Sequence, residues 1–150
     1  MLYPASSVTV DLLSAWRWLL GGRPRLHSWS AAGDLFYSDE RGQVWQLDLG
    51  AGDAECVAES SAAFEQSLRD PDTADERLLL PVVREFEQVH GPLGPHRCLS
   101  FTTLPVFGGS YGIDNRYALA VVQHAAYTGD IHRQIRDLPD GTAIRLKVVP

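Results

Sequence analysis

Leu35-Phe36-Tyr37-Ser38-Asp39-Glu40-Arg41-Gly42-Gln43-Val44-Trp45-Gln46-Leu47-Asp48-Leu49 is the stretch that decides the fold class. Leu35 to Tyr37 form a short apolar run, and Ser38 to Gly42 read as a turn. Val44 to Leu49 then alternate in part between apolar and polar residues, as a half-buried strand does. Gly50-Ala51-Gly52-Asp53 is a second turn, and Glu55 to Ala58 a short third strand. Turns this close force antiparallel neighbours, so the segment predicts a β-meander.

Helices are expected on both sides of it. Upstream, Val8, Leu12, Leu13, Trp16, Leu19 and Leu20 recur at three- and four-residue spacing, which predicts a helix over 7–20 ended by Gly21-Gly22 and Pro24. Downstream, Ser60 or Ser61 caps a helix running to about Arg69, with Phe64 and Leu68 inward. Asp70 to Thr73 is a break. A second helix covers roughly 74–90, with Leu78, Leu79, Val82, Val83, Phe86 and Val89 inward, and Pro81 either kinks it or begins it. After the turn at 91–95, residues 98–103 read as a strand and 104–109 as a loop. Tyr117 to Ala126 is apolar and partly β-branched, which favours a buried central strand. Gly129-Asp130 reads as a turn, and Ile131 to Leu138 fits either a strand or a short helix. Asp140-Gly141 turns again before an edge strand or tail over 143–149. The expectation is a single α+β domain over 1–150. It is mainly antiparallel sheet, with an N-terminal helix and a central helical pair packed on it.

Composition bounds the function. Apolar residues at 45 % and charged residues at 21 % are ordinary for a globular domain. No apolar run reaches the roughly 18 residues a membrane span needs. The first residues lack a basic segment and are interrupted by Asp11, so no signal peptide is expected and the default location is cytoplasmic. Cys56 and Cys98 have no CxxC spacing and are expected to be free and at least partly buried.

The net charge of −6 is unevenly distributed. Residues 34–90 hold 14 acidic and 4 basic side chains, whereas the rest hold 5 and 9. A nucleic-acid binder ordinarily shows a basic surface, so direct nucleic-acid binding is not expected. An acidic stretch repels phosphates and attracts a basic partner, although a solvated face kept charged for solubility reads the same.

No catalytic set stands out. Of five histidines, His90 and His96 lie within nine residues of Cys98, but the spacing is looser than zinc ligands take and a fourth ligand is missing. No metal and no cofactor is expected. His124 lies in the apolar run and reads as a hydrogen-bonded core or edge histidine. Gly108-Gly109-Ser110-Tyr111-Gly112 satisfies G-x-S-x-G, which needs a strand before it and a helix after it. A polar stretch leading into a strand follows instead, so it reads as a glycine turn. There is no P-loop and no dinucleotide fingerprint. Carboxylate pairs such as Asp39/Glu40 and Asp75/Glu76 sit at turns and helix starts, where capping and solubility are the ordinary uses.

Three features carry a resemblance. They are Trp16-Arg17-Trp18-Leu19-Leu20-Gly21, the hairpin Gly33 to Asp48, and the block Cys98 to Asn115, followed by His124 and Gly129 to Ile135. In their order and spacing the chain resembles the type VI secretion immunity proteins with the Tdi1-type C-terminal domain. Many of those also look like they carry an N-terminal GAD-like domain, for which this chain is too short. The resemblance implies an antidote that binds a cognate effector toxin, often a nuclease, with no catalytic residues to carry over. The expected partner is therefore a basic protein, met by Asp39, Glu40, Asp53, Glu55, Glu59, Asp72, Asp75 and Glu76. The alternative is a small-ligand or regulatory binding domain with a pocket near Gly108-Gly109, using Tyr111, Asn115 and Arg116. A hydrolase built on Ser110 is the third reading.

Overall fold

A computed structural model describes residues 1–144. Among them the expected meander is present as β3 (Leu35–Ser38), β4 (Val44–Asp48) and β5 (Asp53–Ala58). Two strands that the sequence hides precede it, β1 (Leu2–Pro4) and β2 (Arg25–Ser30), and the five form one antiparallel sheet in the order β1-β2-β3-β4-β5. β2 escapes a hydropathy reading because Ser28 and Ser30 are buried among its core residues. Each is satisfied locally: Ser28 Oγ bonds the His27 ring at 2.8 Å, and Ser30 Oγ accepts from Asp34 N–H at 3.1 Å.

The pleat sends alternate side chains to two cores. Leu35, Tyr37, Leu47 and Trp29 face Leu12, Leu13, Trp16 and Leu20 of the N-terminal segment. Phe36 and Val44 face the opposite way, onto α1 (Ser61–Ser67) through Phe64 and α2 (Pro71–Leu78) through Leu78. Ser60 is the cap of α1, accepting from Ala63 N–H at 3.0 Å. Ser60→Ala is expected to cost about 1 kcal/mol, read by urea unfolding, because one orphan N–H loses its acceptor.

The helix expected over 7–20 is not an α-helix. The segment folds as turns, with 3-10 helices at Ala5–Ser7 and Ser14–Trp16. Asp11 accepts from Leu13 N–H, and Ser14, Trp16 and Leu19 bond three residues back. Packing imposes this path: Trp16 Nε1 donates to Ala125 O and Trp18 Nε1 to Gly129 O, and both acceptors belong to α4 (Val121–Ile135).

Pro81 begins a helix rather than kinking one. α2 ends at Leu79, held at φ 49° and ψ 42°, and α3 (Leu80–His90) starts with Pro81 in its first turn. The missing Pro81 N–H leaves Arg77 O free, and Gln46 Nε2 from β4 donates to it at 3.2 Å. The expected helical pair is therefore three helices.

β6 (Arg97–Phe101) and β7 (Arg116–Ala120) form a separate two-stranded antiparallel sheet. The central strand expected over 117–126 is thus half right, since the chain turns helical at Val121. Gly129-Asp130 is no turn but the interior of α4, and Ile131 to Ile135 are its last residues. The buried positions of α4 are Val121, His124, Ala125, Thr128, Gly129 and His132, a helical spacing that its polar members conceal from an apolar count. The expected strand or tail over 143–149 lies, from 145 onward, outside the described residues. Cys98 is buried as expected, but Cys56 is exposed on β5, and both are free thiols.

Candidate functional site

The two sheets meet where Leu99 N–H donates to Ala31 O at 2.8 Å, and polar side chains fill this seam. Gly33 ends the β2–β3 turn at φ 99°, and a Cβ there would stand 2.6 Å from Leu99 O and 2.7 Å from His124 Nε2. Only glycine fits. His124 is fully buried, with Nε2 2.9 Å from Gly33 O and Nδ1 2.9 Å from Ser100 Oγ. A carbonyl only accepts, so Nε2 carries the proton and Nδ1 accepts from the Ser100 hydroxyl. The Tyr127 hydroxyl then donates to Ser100 Oγ at 2.6 Å. Burial holds the His124 pKa down to about 4 and pushes Tyr127 up to about 12. Ser100 and His124 are at nucleophile–base distance, but both are 0 % exposed, so no substrate reaches them.

Beside this chain lies Arg116, 6 % exposed. Its Nη1 donates to Ala32 O and Leu99 O, its Nε donates to Tyr111 O, and its Cζ stands 3.8 Å above the Phe101 ring centre. Burial lowers its pKa to about 10, with Asp34 and Asp48 opposing the shift, so it stays charged at neutral pH. Asp34 is partly buried and accepts from Gln46 Nε2 at 2.9 Å. Burial, then the nearby Asp48 charge, raises its pKa to about 7, while Gln46 and Arg116 act the other way. Asp48 organises the β4–β5 turn: one oxygen accepts from Gly50 and Ala51 N–H, the other from the Tyr111 hydroxyl at 2.7 Å. Sequence reasoning missed Asp34 and Asp48 as inward groups. The one available signal was an Asp directly before Leu49-Gly50-Ala51-Gly52, the position from which a carboxylate caps a turn.

The three residues expected around a Gly108-Gly109 pocket are joined, but to each other's loop. Asn115 spends its amide on Thr103 N–H, Thr103 O and Ser110 O, Tyr111 is held by Asp48, and Arg116 is buried in the seam. A cavity of about 620 Å³ borders the same loop at Val106 and Phe107 and is otherwise lined by Trp18, His132 and Ile135 among others, without Tyr111, Asn115 or Arg116. Ser110 Oγ accepts from Gly112 N–H, and the loop has 3-10 turns at Pro105–Phe107 and Ile113–Asn115 where a nucleophile elbow needs a strand and an α-helix.

The eight acidic candidates fall in three places. Asp39 and Glu40 occupy the β3–β4 turn, with Glu59 just beyond the end of β5. Asp53 and Glu55 lie on β5, and Asp72, Asp75 and Glu76 on α2. Asp39 is committed to the turn: it accepts from Arg41 and Gln43 N–H and from Trp45 Nε1, and that last bond leads in lowering its pKa. Asp75 pairs with Arg84 at 3.3 Å. The remaining six carry no ion pair among the described residues. There are also no clusters of three or more His, Cys, Asp or Glu placed to hold a metal, and no helix long and apolar enough to cross a membrane, among those residues.

No curated protein matches the chain in sequence. A family model described as T6SS immunity protein Tdi1, C-terminal matches residues 58–132, half of the chain. The match begins at the last residue of β5 and runs through α1, α2, α3, β6 and β7 into α4. Of the motifs behind the resemblance, the Cys98 to Asn115 block and His124 fall inside it. The Trp-bearing N-terminal segment and the Gly33 to Asp48 hairpin fall outside. On that match, the chain belongs to the family of the C-terminal domain of the type VI secretion immunity protein Tdi1.

Proposed function

We propose that the chain binds a cognate secreted effector toxin, a basic nuclease, in the cytoplasm and neutralises it by covering its phosphate-binding surface. The observation that carries this reading, beyond family membership, is that Glu40, Asp53, Glu55, Glu59, Asp72 and Glu76 pair with no cation among the described residues. Such carboxylates stay solvated in the free chain, and they speed and orient encounter with a basic protein. The protein works as a binder without cofactor or metal and makes no direct contact with nucleic acid.

The test is co-expression with the effector encoded beside it. The chain is expected to restore growth that the toxin alone abolishes. Association of the purified pair should slow at least about tenfold between roughly 0.02 and 0.5 M salt, and reversing Glu40, Glu59, Asp72 and Glu76 to Lys should flatten that dependence. Association indifferent to both would remove the electrostatic part of the reading.

A further inference from the structure

The outer edge of β5 takes part in none of the contacts described above, and a groove lies beside it. β1 and β5 are the two edges of the large sheet. β1 is three residues long and contains Pro4, which cannot donate to a further strand. β5 has six residues and no proline, with Asp53, Glu55 and Cys56 exposed. Among the described residues its main chain bonds to β4 and, at Ala58 O, to the Cys56 thiol of β5 itself at 3.7 Å. An edge of that kind is a template for another strand.

Along the same corner runs a groove of about 370 Å³, whose walls include Leu19, Leu20, Tyr37, Asp39, Trp45 and Asp53. Tyr37 and Trp45 stack as its floor, with ring centres 6.3 Å apart and planes 9° from parallel. Asp39 accepts from Trp45 Nε1 at 2.9 Å, which fixes the indole and enriches its face in electron density. Two carboxylates, Asp39 and Asp53, line the groove, and no arginine or lysine among the described residues does. An aromatic floor with the exposed Asp53 carboxylate on its wall fits a guanidinium, which stacks on the ring and is drawn by that carboxylate. Charges on a sheet edge also guard against aggregation, but that purpose calls for no aromatic groove next to the edge.

We propose that this corner is where the partner docks: an extended basic segment of the effector adds as a strand to β5 and places an arginine side chain in the Tyr37–Trp45 groove. This rests on the reading of the chain as a toxin-binding immunity protein, and names the surface and chemistry of that contact.

The probe is the effector from the neighbouring reading frame with its catalytic centre inactivated, bound to the full chain. Asp53→Lys with Glu55→Lys changes exposed residues and places a tethered cation at the groove; thermal unfolding checks that the fold is kept. Dissociation is expected to quicken at least 30-fold. Asp72→Lys with Glu76→Lys on α2 is expected to slow association while leaving dissociation within threefold. Amides of residues 53–56 should exchange with solvent at least tenfold more slowly in the complex than in the free chain. A complex whose dissociation ignores the β5 pair, or in which those amides exchange at their free rate, overturns strand addition and leaves the immunity reading standing. A wild-type chain that forms no complex overturns both.

Discussion

Replacing Gly129 with Ala is expected to destabilise the protein by about 2–4 kcal/mol, although the same change in an isolated helix stabilises it by about 1 kcal/mol. Gly129 lies in the interior of α4, where glycine is ordinarily a weakness. Here a Cβ would stand 2.5 Å from Ala15 O and 2.8 Å from the Ala15 Cβ. The neighbour is main chain, so it cannot swing aside, and the Ser14–Trp16 turn must move off the helix. That movement would lengthen Trp16 Nε1 to Ala125 O, now 3.1 Å, and Trp18 Nε1 to Gly129 O, now 3.2 Å. Urea unfolding of the variant measures the sign. A variant more stable than wild type would show that the N-terminal segment is not seated on α4 as described.

The second expected result concerns pH. His124 is held neutral, its pKa depressed from 6.5 to about 4 by burial. Its contribution is therefore complete above pH 6.5 and is lost as pH falls towards 4, on the order of 3 kcal/mol, because only the unfolded chain takes up the proton. Burial also lowers His132, which acts in the same direction. Asp34 does the opposite. Its pKa is raised from 3.8 to about 7, so from pH 7 downward the folded chain takes up a proton that the unfolded chain refuses until about pH 4. That uptake stabilises the fold by a comparable amount over nearly the same window. Wild-type stability is thus expected to fall less between pH 7 and pH 4 than the histidines alone would make it.

Asp34→Asn keeps the acceptor for Gln46 but removes the titration. It should be more stable than wild type at pH 7.5 and lose stability steeply on acidification. His124→Phe should lose about 2–4 kcal/mol at neutral pH, since Gly33 O is left without its donor, and then gain stability as pH falls to 4. Urea midpoints at pH 7.5, 5.5 and 4 for the three chains measure this. Parallel profiles would show that neither group titrates as its surroundings dictate.

These two results also mark where the sequence could and could not be read. The meander was legible because Leu35 to Tyr37 and Val44 to Leu49 alternate beside turn residues, a local signal with period two. Ser60 was legible as one of two candidate caps and Pro81 as either a kink or a helix start, because capping and the missing proline N–H are local rules of backbone chemistry. What failed depended on distant partners. The Leu- and Trp-rich stripe over 7–20 has helical spacing, yet Ala125 O and Gly129 O, more than a hundred residues away, draw its tryptophans into a path of turns. His124 could be read as a hydrogen-bonded core or edge histidine from its apolar neighbours, but Ser28, Ser30 and Thr128 gave no sign of burial, because sequence shows their polarity and not the partners that satisfy it.

The same division holds for function. The acidic charge between residues 34 and 90, the absence of nucleotide-binding motifs and the family resemblance that residues 58–132 bear out are all legible along the chain. Charge and composition are sums, and need no geometry. Which carboxylates are available follows from the packing. It turned Asp34 and Asp48 into the seam, tied Asp39 to the Trp45 indole and Asp75 to Arg84, and left Asp53 and Glu55 on a free sheet edge. Whether a charge is spent inside the fold or kept for a partner depends on which donor lies within about 3 Å, and that distance is set by the packing of segments far apart in the chain.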